Sequence, residues 1–529
     1  MAADRAREND GTRAPSTARS PSVGLGAVVA RLFGRASPGA TPLWNHALLA
    51  LVVASVALGL RLHELGTESL WIDEAITHAR ASYDTDKLIR DSVRRKHIPT
   101  YFLMMHHLLP LVGDSEFAMR LPSAVFGAGA ATITYAIGAA LAGPIAGLSA
   151  GLLMATARSQ IHYGQEARMY ATVTLFASLG ILAITLLTRD DHRRSRPPWR
   201  LRPSEPHERT ILLAWMLLTV GTVGPLYLHN TAVFYVAGMQ VAGACMWLIT
   251  SGNRWGFARN WILCQGLSLL CWSPWIPHLV AQSHTFNRWK QRRFTWDMAG
   301  DHVSQLLLLD QPSGLVPWLF ALACAWAVAA PGPARRRAWV LMGWPLAGLG
   351  ICAAISLHKA NMMFVRTLLW TAIPTFALVG AGLARMPYRS GVVGLGLLMW
   401  LNADTVRDYY QATTKPPWRE YMQLLTQRTD AQSTIVGTGA SRFVRYYQQR
   451  KHDPLPARPV VHFNRQKRIE EVVGDAKEFW WLAKTNSTKT KRFQQMLRRS
   501  RRYKRVFRQK QRSALLSRYK LRKRRRNRH

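Results

Sequence analysis

The chain has 529 residues, of which 48% are hydrophobic, and its formal net charge is +41. A soluble protein of such charge would usually bind nucleic acid, but here the apolar residues form long uncharged runs separated by short Arg-rich loops. Runs of about 20 residues can cross a hydrocarbon core of roughly 30 Å. The composition therefore excludes an ordinary soluble domain, predicts contact with membrane lipids and argues against nucleic acid as a partner.

The chain begins with a segment that we do not expect to fold. Residues 1–42 are rich in Arg, Ala, Ser, Gly and Pro and contain no apolar core of the signal-peptide type, which predicts a disordered basic cytoplasmic leader. Eleven transmembrane helices are predicted after it, within a transmembrane domain at 43–408. They cover residues 43–60, 119–140, 143–158, 169–188, 210–227, 231–250, 260–280, 314–330, 337–357, 367–384 and 390–407.

The distribution of Lys and Arg between these helices predicts the orientation. Short loops enriched in these residues belong on the cytoplasmic side. If the N-terminus is cytoplasmic, four such loops fall there, at 189–209, 251–259, 331–336 and 385–389. The predicted localisation is therefore the inner (plasma) membrane, with multiple passes and an extracytoplasmic C-terminus.

One loop disagrees with that orientation. The 281–313 loop is assigned to the outer side, yet it carries Arg288, Lys290, Arg292 and Arg293. Either the helix count is wrong by one, or these cations bind something anionic.

The C-terminal quarter has a different pattern. Short apolar runs alternate with polar helical stretches over 409–490, which predicts a small extracytoplasmic α/β domain. The remaining Arg/Lys-rich tail, 491–529, has 19 Lys or Arg and no acid; we expect a helix to about Arg512 and a disordered block at Arg522 to Arg528. The tail could rest on anionic head groups, recruit an anionic acceptor such as lipopolysaccharide core or an acidic polysaccharide, or, if cytoplasmic, bind nucleic acid.

Acidic residues are scarce, and three of them fall on one predicted side of the membrane. Asp73 and Glu74 follow the first helix, and Glu166 is the only acid between Met119 and Arg189. An ionised group near a membrane helix costs about 2.5 to 3.5 kcal/mol on insertion scales, so it is a functional hypothesis by default. Acids that converge at one interface could supply general-base chemistry.

Several stretches of the chain together resemble one family. They are Arg61 through Ala79, His97-Ile98-Pro99-Thr100-Tyr101-Phe102, Ser115 through Ser123, Gln-Glu-Ala-Arg-Met-Tyr at 165–170, Leu228-His229-Asn230 and Trp418-Arg419. In this order they are similar to the GT-C glycosyltransferases, the group of bacterial aminoarabinose, galacturonosyl and protein O-mannosyl transferases that use polyprenyl-phosphate sugars. Two departures concern the donor site: Ile98 replaces a proline, and Val365-Arg366-Thr367 lacks the usual Tyr after Arg.

The resemblance implies a polytopic α-helical membrane protein of GT-C type with a catalytic first extracytoplasmic loop at 61–118. It implies an inverting hexosyl- or pentosyltransferase that moves a sugar from a polyprenyl-phosphate donor to a glycan, lipid or protein acceptor of the cell envelope. Asp73 would be the catalytic base. The implied site residues are Asp73, Glu74 and Glu166 for catalysis, Arg168, Arg366 and His97 for the donor phosphate, with Arg292 or Arg293 as weaker candidates, and Trp71, Tyr101, Tyr170 and His229 for the substrate.

Each role has a structural alternative. Asp73 could cap the helix that follows it, Glu74 could only orient the loop, and Glu166 could pair with Arg168 or Arg120. His97 and His229 could be hydrogen-bonded interface residues.

Cofactor and function also keep alternatives. No cofactor is certain; a divalent Mg, Mn or Zn ion held by Asp73, Glu166 and His229 is an option, since carboxylates and imidazoles suit such ions. The main alternative function is a transporter or flippase of lipid-linked sugars, although we find no repeated halves. A structural membrane protein with an interaction tail would leave the loop-one motif unexplained.

Overall fold

The computed structural model describes residues 43–189, 193–202, 205–283, 294–358, 361–430, 432–451, 453–456, 459–463 and 469–522. Several predictions lie outside these ranges. They concern the leader at 1–42, the cations Arg288, Lys290, Arg292 and Arg293, and the charge block that follows Arg522.

Helices make up the described chain as far as residue 428. The first nine are α1 (Leu43–Leu62), α2 (Ile72–Ala81), α3 (Thr85–Arg94), α4 (Thr100–Val112), α5 (Glu116–Ala142), α6 (Pro144–Thr156), α7 (Arg158–Gly164), α8 (Tyr170–Leu187) and α9 (Pro206–Leu228). The next ten are α10 (Ala232–Ile249), α11 (Arg254–Trp272), α12 (Ile276–Ser283), α13 (Trp296–Leu307), α14 (Leu315–Ala329), α15 (Pro333–His358), α16 (Val365–Leu368), α17 (Ala372–Leu383), α18 (Ser390–Gln411) and α19 (Trp418–Arg428).

In the described part of the chain, seven helical segments are long and apolar enough to cross a membrane. They are Trp44–Leu62, Glu116–Ala142, Tyr170–Leu187, His207–Leu228, Ala232–Ile249, Pro333–His358 and Val365–Leu383. The helices α6 and α14 are apolar but shorter, with 13 and 15 residues. The predicted multi-pass membrane protein is confirmed in this sense, whereas the predicted count of eleven spans is not.

Local sequence explains how the central helices start, stop and approach one another. Ser115 caps α5 by accepting the backbone N–H of Ala118 at 3.2 Å, and Gly143 ends it with a φ of 87°. The next helix, α6, begins at a proline, which needs no hydrogen-bond acceptor for its nitrogen. A Cβ atom on Gly138 would lie 2.6 Å from the carbonyl oxygen of Ala146, so glycine permits the close contact of α5 with α6.

The predicted C-terminal α/β domain is confirmed. Its elements are β1 (Thr434–Thr438), α20 (Ser441–Gln449), β2 (Val460–His462), α21 (Ile469–Val473), β3 (Glu478–Lys484), α22 (Thr488–Ser500), β4 (Tyr503–Gln511) and β5 (Ala514–Leu521). The strand order is β2-β1-β3-β5-β4, parallel across the first three strands and antiparallel across the last three. One face of the sheet packs with α19 and α20, and the other with α21 and α22.

The structure corrects the prediction for the tail. The helix α22 ends at Ser500 instead of near Arg512, and the chain then forms the antiparallel pair β4 and β5. Because Leu516 and Tyr519 of β5 contribute to the two apolar cores of the domain, the predicted boundary at residue 490 does not hold. The sheet domain extends to Leu521.

The sheet domain is attached to the loop between α1 and α5. Leu70 and Ala75 of that loop pack into the same apolar core as Trp418 of α19. Tyr446 of α20 donates its hydroxyl to the carbonyl of Asp114 at 2.8 Å. The loop is therefore held between the membrane helices and the sheet, which fixes the start of α2 in space.

Candidate active site

Glu74 is fully buried and joins four segments of the chain. Its carboxylate accepts hydrogen bonds from Arg120 at 2.8 and 2.9 Å and from the ammonium of Lys415 at 3.2 and 3.3 Å. It also accepts the backbone N–H groups of Ala167 and Trp71, at 3.0 and 3.2 Å. A buried charge is tolerated only where it is paired and hydrogen-bonded, so these contacts lock the loop onto α5, the turn before α8 and the linker after α18.

The charges around Glu74 make it a poor proton acceptor. Burial alone would raise the pKa of its carboxyl, but the charges and hydrogen bonds of Arg120 and Lys415 hold that pKa well below its usual range. Burial lowers the pKa of the Lys415 ammonium, and the charge of Arg120 adds to this effect. Since both carboxylate oxygens already accept protein hydrogen bonds, this geometry fits the alternative in which Glu74 orients the loop.

Asp73 is on a different side of the same helical turn. Its carboxylate is 26% exposed and lies 3.9 Å from a guanidinium nitrogen of Arg366. The N-cap position of α2 is held by Trp71, so Asp73 is inside the first turn and is not the cap. A negative charge is favoured in that turn because the unpaired N–H groups there carry partial positive charge.

Cationic side chains gather around Asp73 on aromatic surfaces. The guanidinium carbons of Arg168 and Arg366 lie 5.8 and 6.0 Å from the centre of the Tyr170 ring. Arg80 lies 4.5 Å from the Phe102 ring and pairs with Asp91 at 3.2 Å. Within the described residues, Nε of the buried Arg168 has no hydrogen-bond partner. Guanidinium groups with unused donors suit a phosphate, whose oxygens they can bind in pairs.

The two histidines of the predicted site are uncharged in this environment. Burial, followed by the charges of Arg168 and Arg80, lowers the pKa of His97 to about 3. Burial, followed by Arg168 and Arg366, lowers the pKa of His229 to about 3. Nδ1 of His229 is 2.7 Å from the hydroxyl of Thr231. In this state both imidazoles are neutral hydrogen-bonding groups, not cations.

Glu166 is also buried, and it is one of the residues that line a cavity. One oxygen is 3.3 Å from Nε2 of His162, and the other has no hydrogen-bond partner among the described residues. Arg120, which the sequence offered as a partner, is committed to Glu74. No pairing of Glu166 with Arg168 is seen in the described part of the chain either.

The cavity, of about 470 Å³, opens between the membrane helices and the sheet domain. On the membrane side it is lined by Trp71, Glu166 and Arg366, and on the other side by Lys415, Trp418 and Arg512. Asp73 does not line this cavity, but it faces Arg366, which does. The site is thus a half-open space with a carboxylate, several cations and aromatic walls.

The three residues named for a divalent ion, Asp73, Glu166 and His229, are not grouped as metal ligands. Within the described residues there is no group of three or more His, Cys, Asp or Glu side chains arranged to hold an ion. Whether the reaction uses a metal stays a prediction from the sequence.

The structure brings most of the predicted site residues together. Two of them, Tyr101 and Glu74, are enclosed by protein groups and are not open to a substrate. Tyr101 is fully buried, with its hydroxyl 3.4 Å from that of Ser123, so it has no surface to offer a substrate. Sequence reasoning missed Lys415 and Arg80 because neither stands in a recognisable motif; the signal available for Lys415 was only its position just before the Trp418-Arg419 similarity.

Comparison with known proteins places the fold. No family model matches the chain, and no curated protein sequence matches it. Two solved structures of ArnT from Cupriavidus metallidurans, one bound to undecaprenyl phosphate and one in the apo state, share 12% identity with it. Each covers 88% of this chain and 97% of its own length, with TM-scores of 0.56 and 0.54. The chain therefore has the fold of these ArnT structures.

Proposed function

We propose that the protein is an integral membrane glycosyltransferase that moves a sugar from a polyprenyl-phosphate donor to an acceptor of the cell envelope. The observation that carries this proposal is the placement of Asp73, a partly exposed carboxylate, 3.9 Å from Arg366 and within the electrostatic reach of Arg168. A base beside guanidinium groups suits attack on a sugar phosphate, because the cations stabilise the departing phosphate.

The leaving group in this reaction is a lipid phosphate. One of the ArnT structures was solved bound to undecaprenyl phosphate, and we infer a donor of the same class here. Arg168 and Arg366 would bind the phosphate oxygens, with neutral His97 as a further hydrogen-bond donor. Negative charge develops on the phosphate as the bond to the sugar breaks, and preorganised cations stabilise that charge.

Asp73 would act on the acceptor. Its carboxylate takes the proton of an acceptor hydroxyl or amine while that oxygen or nitrogen attacks the anomeric carbon. The bond between the anomeric carbon and the phosphate oxygen breaks, and the phosphate leaves with the electron pair. A single displacement inverts the configuration at that carbon, and no strong general acid is needed because a phosphate is already a good leaving group.

Glu74 and Glu166 have supporting roles in this proposal. Glu74 is a positioning residue that fixes the turn carrying Asp73 through Arg120 and Lys415. Glu166 lines the cavity and has one oxygen without a hydrogen-bond partner among the described residues, so it would hold a sugar hydroxyl.

We propose that the site faces the extracytoplasmic side. The segment between α8 and α9 lies at the end of these helices away from the site, and the described part of it includes Arg194, Arg196, Arg200 and Arg202. Lys and Arg in short loops favour the cytoplasmic side. The candidate site and the sheet domain, at the opposite ends of the helices, would then be outside the cytoplasm.

Mass spectrometry of envelope glycans and lipid A tests the proposal. A deletion strain is compared with strains complemented by wild type, by Asp73→Asn and by Asp404→Asn at matched protein level. Asp404 is a matched control because its side chain is 79% exposed and pairs only with Arg407 in the described chain. We expect a sugar mass to disappear on deletion and to return with wild type and the control, but not with Asp73→Asn. Full restoration by Asp73→Asn would favour the transporter alternative.

A further inference from the structure

The last two strands of the sheet carry an unusual concentration of positive charge. From Thr488 to Arg522 there are fifteen Lys or Arg residues and no Asp or Glu. Along the edge strand β4, every residue from Lys504 to Gln511 except Phe507 is exposed. These cations are held in a defined strand, which separates them from a solvated, unfolded charge block.

The exposed cations of this strand have no acidic partners. Within the described residues, none of Lys504, Arg505, Arg508 and Lys510 forms an ion pair with a carboxylate, nor does Arg512 in the turn that follows. The described ion pairs of this part of the sheet involve Arg518 and Lys520, which share Glu478.

Several of these cations lie close to one another. Arg505 hydrogen-bonds the Tyr519 hydroxyl, and the charges of Arg508 and of Arg498 from α22 act on the same hydroxyl. Lys504, which stands opposite Lys520 in the strand register, is a further cation of this strand. A bound polyanion would relieve the mutual repulsion of these side chains.

One end of the strand β4 lies at the cavity. Arg512 and Lys484 line the cavity wall at the β4–β5 end. Arg512 also donates to the carbonyl of Thr413, two residues after α18 ends, so this end of the strand is next to the membrane helices. A nine-residue strand extends over about 27 Å, a length over which an extended polymer with repeated negative charges can contact successive cations.

We propose that β4, together with Arg498 near the end of α22, binds an anionic envelope polysaccharide, one with carboxylate or phosphate groups along its chain, and guides it to the cavity as acceptor. The role of the polysaccharide as acceptor rests on the proposed glycosyltransferase function. Its binding to the strand does not. The shared chemistry of the ligand is a repeating negative charge on an extended chain.

The test is equilibrium binding of fluorescently labelled polygalacturonate to the full-length protein in nanodiscs, with neutral dextran as a control. The variant R505Q/R508Q/K510Q, called the β4 variant, removes three exposed cations from that strand. The matched variant K489Q/K491Q/R492Q removes three exposed cations from the start of α22, where Lys489 acts on His462 at the β2 side of the sheet. R505K/R508K keeps the charge and checks that the strand is intact.

We expect wild type, R505K/R508K and the α22 variant to bind polygalacturonate within about twofold of one another. The β4 variant should bind at least about tenfold more weakly, since each cation near an anionic surface adds attraction. Dextran should not bind, and added salt should weaken binding of the wild type. Equal binding by the β4 variant and wild type would overturn the proposal.

A second arm separates the polymer from the membrane as the source of negative charge. The same titrations are made in nanodiscs of phosphatidylcholine and of phosphatidylglycerol. We expect the β4 variant to lose the same affinity for polygalacturonate in both kinds of nanodisc. If the anionic lipid abolishes the difference, the strand rests on its own membrane and the polysaccharide proposal is wrong. Asp73→Asn should bind like wild type, so failure of this binding and failure of the catalytic proposal are distinguishable.

Discussion

The two sides of the first turn of α2 hold neighbouring carboxylates in opposite situations. Glu74 is fully buried and accepts hydrogen bonds from Arg120, Lys415 and two backbone N–H groups. Asp73 is 26% exposed and has a cation at 3.9 Å. The contacts of Glu74 hold the loop in place. Asp73, on the other side of the turn, is left accessible to act on a substrate.

The largest expected effect is the loss of transfer activity when the Asp73 carboxylate is removed. Asp73→Asn should reduce sugar transfer by about 10²- to 10⁴-fold, the range that a positioned general base contributes. The free energy of unfolding of the variant should be within about 1 kcal/mol of that of wild type, because a partly exposed pair at 3.9 Å adds little stability. The measurement is transfer rate alongside thermal unfolding of the purified protein. A variant that loses activity only by losing its fold would contradict the role given to Asp73.

The next largest effect is the loss of stability when the buried Glu74 carboxylate is removed. Glu74→Gln keeps the shape of the side chain but leaves two buried cations uncompensated, which should cost about 3 to 5 kcal/mol of stability. Thermal unfolding in nanodiscs measures the loss. Adding Lys415→Met to Glu74→Gln should recover part of it, since one buried charge is then removed. If Glu74→Gln is as stable as wild type and inactive, Glu74 is part of the chemistry instead.

A smaller effect concerns Arg366, which faces Asp73 and also lines the cavity. Arg366→Met should weaken use of the donor by about 10- to 100-fold, the value of a charge-assisted hydrogen bond to phosphate. Arg366→Lys should recover only part of this, because an ammonium cannot bind two oxygens in one plane. The readout is the apparent KM for donor against kcat. An unchanged KM in both variants would remove Arg366 from the phosphate site.

The smallest effect is a dependence of stability on pH. Burial and nearby arginines lower the pKa of His97 from 6.5 to about 3. Between these two pH values the imidazole is protonated in the unfolded chain and neutral in the folded chain. The contribution of neutral His97 is therefore complete above pH 6.5 and declines as the pH falls towards 3. Wild type should lose thermal stability between pH 6.5 and 5 more steeply than His97→Gln. Parallel curves would show that His97 is not shielded as described.

The sequence predicted a multi-pass membrane protein, although not its number of spans, and it singled out the loop-one acids, because both inferences rest on local signals. Long apolar runs and an acid pair beyond Arg61 are visible without any knowledge of packing. The division of labour between Asp73 and Glu74 was not visible, because it depends on Lys415, which is 341 residues from Glu74 along the chain. Long-range contacts of this kind leave no pattern in a single sequence.

The tail was mispredicted for a different reason. Lys, Arg and Gln have high helix propensity, and they dominate the segment that forms β4. An edge strand exposed on most of its length shows no alternation of apolar and polar residues, so the usual signal of a strand was missing. The apolar run at Ala514-Leu515-Leu516 was visible, but not its pairing with β3.

The most direct test of the account is a side-by-side measurement of glycan transfer and thermal unfolding for Asp73→Asn and Glu74→Gln at matched protein level. The account predicts that Asp73→Asn is folded and does not transfer sugar, while Glu74→Gln is destabilised and keeps activity in proportion to the folded protein that remains. An active Asp73→Asn protein would contradict the assignment of the catalytic base.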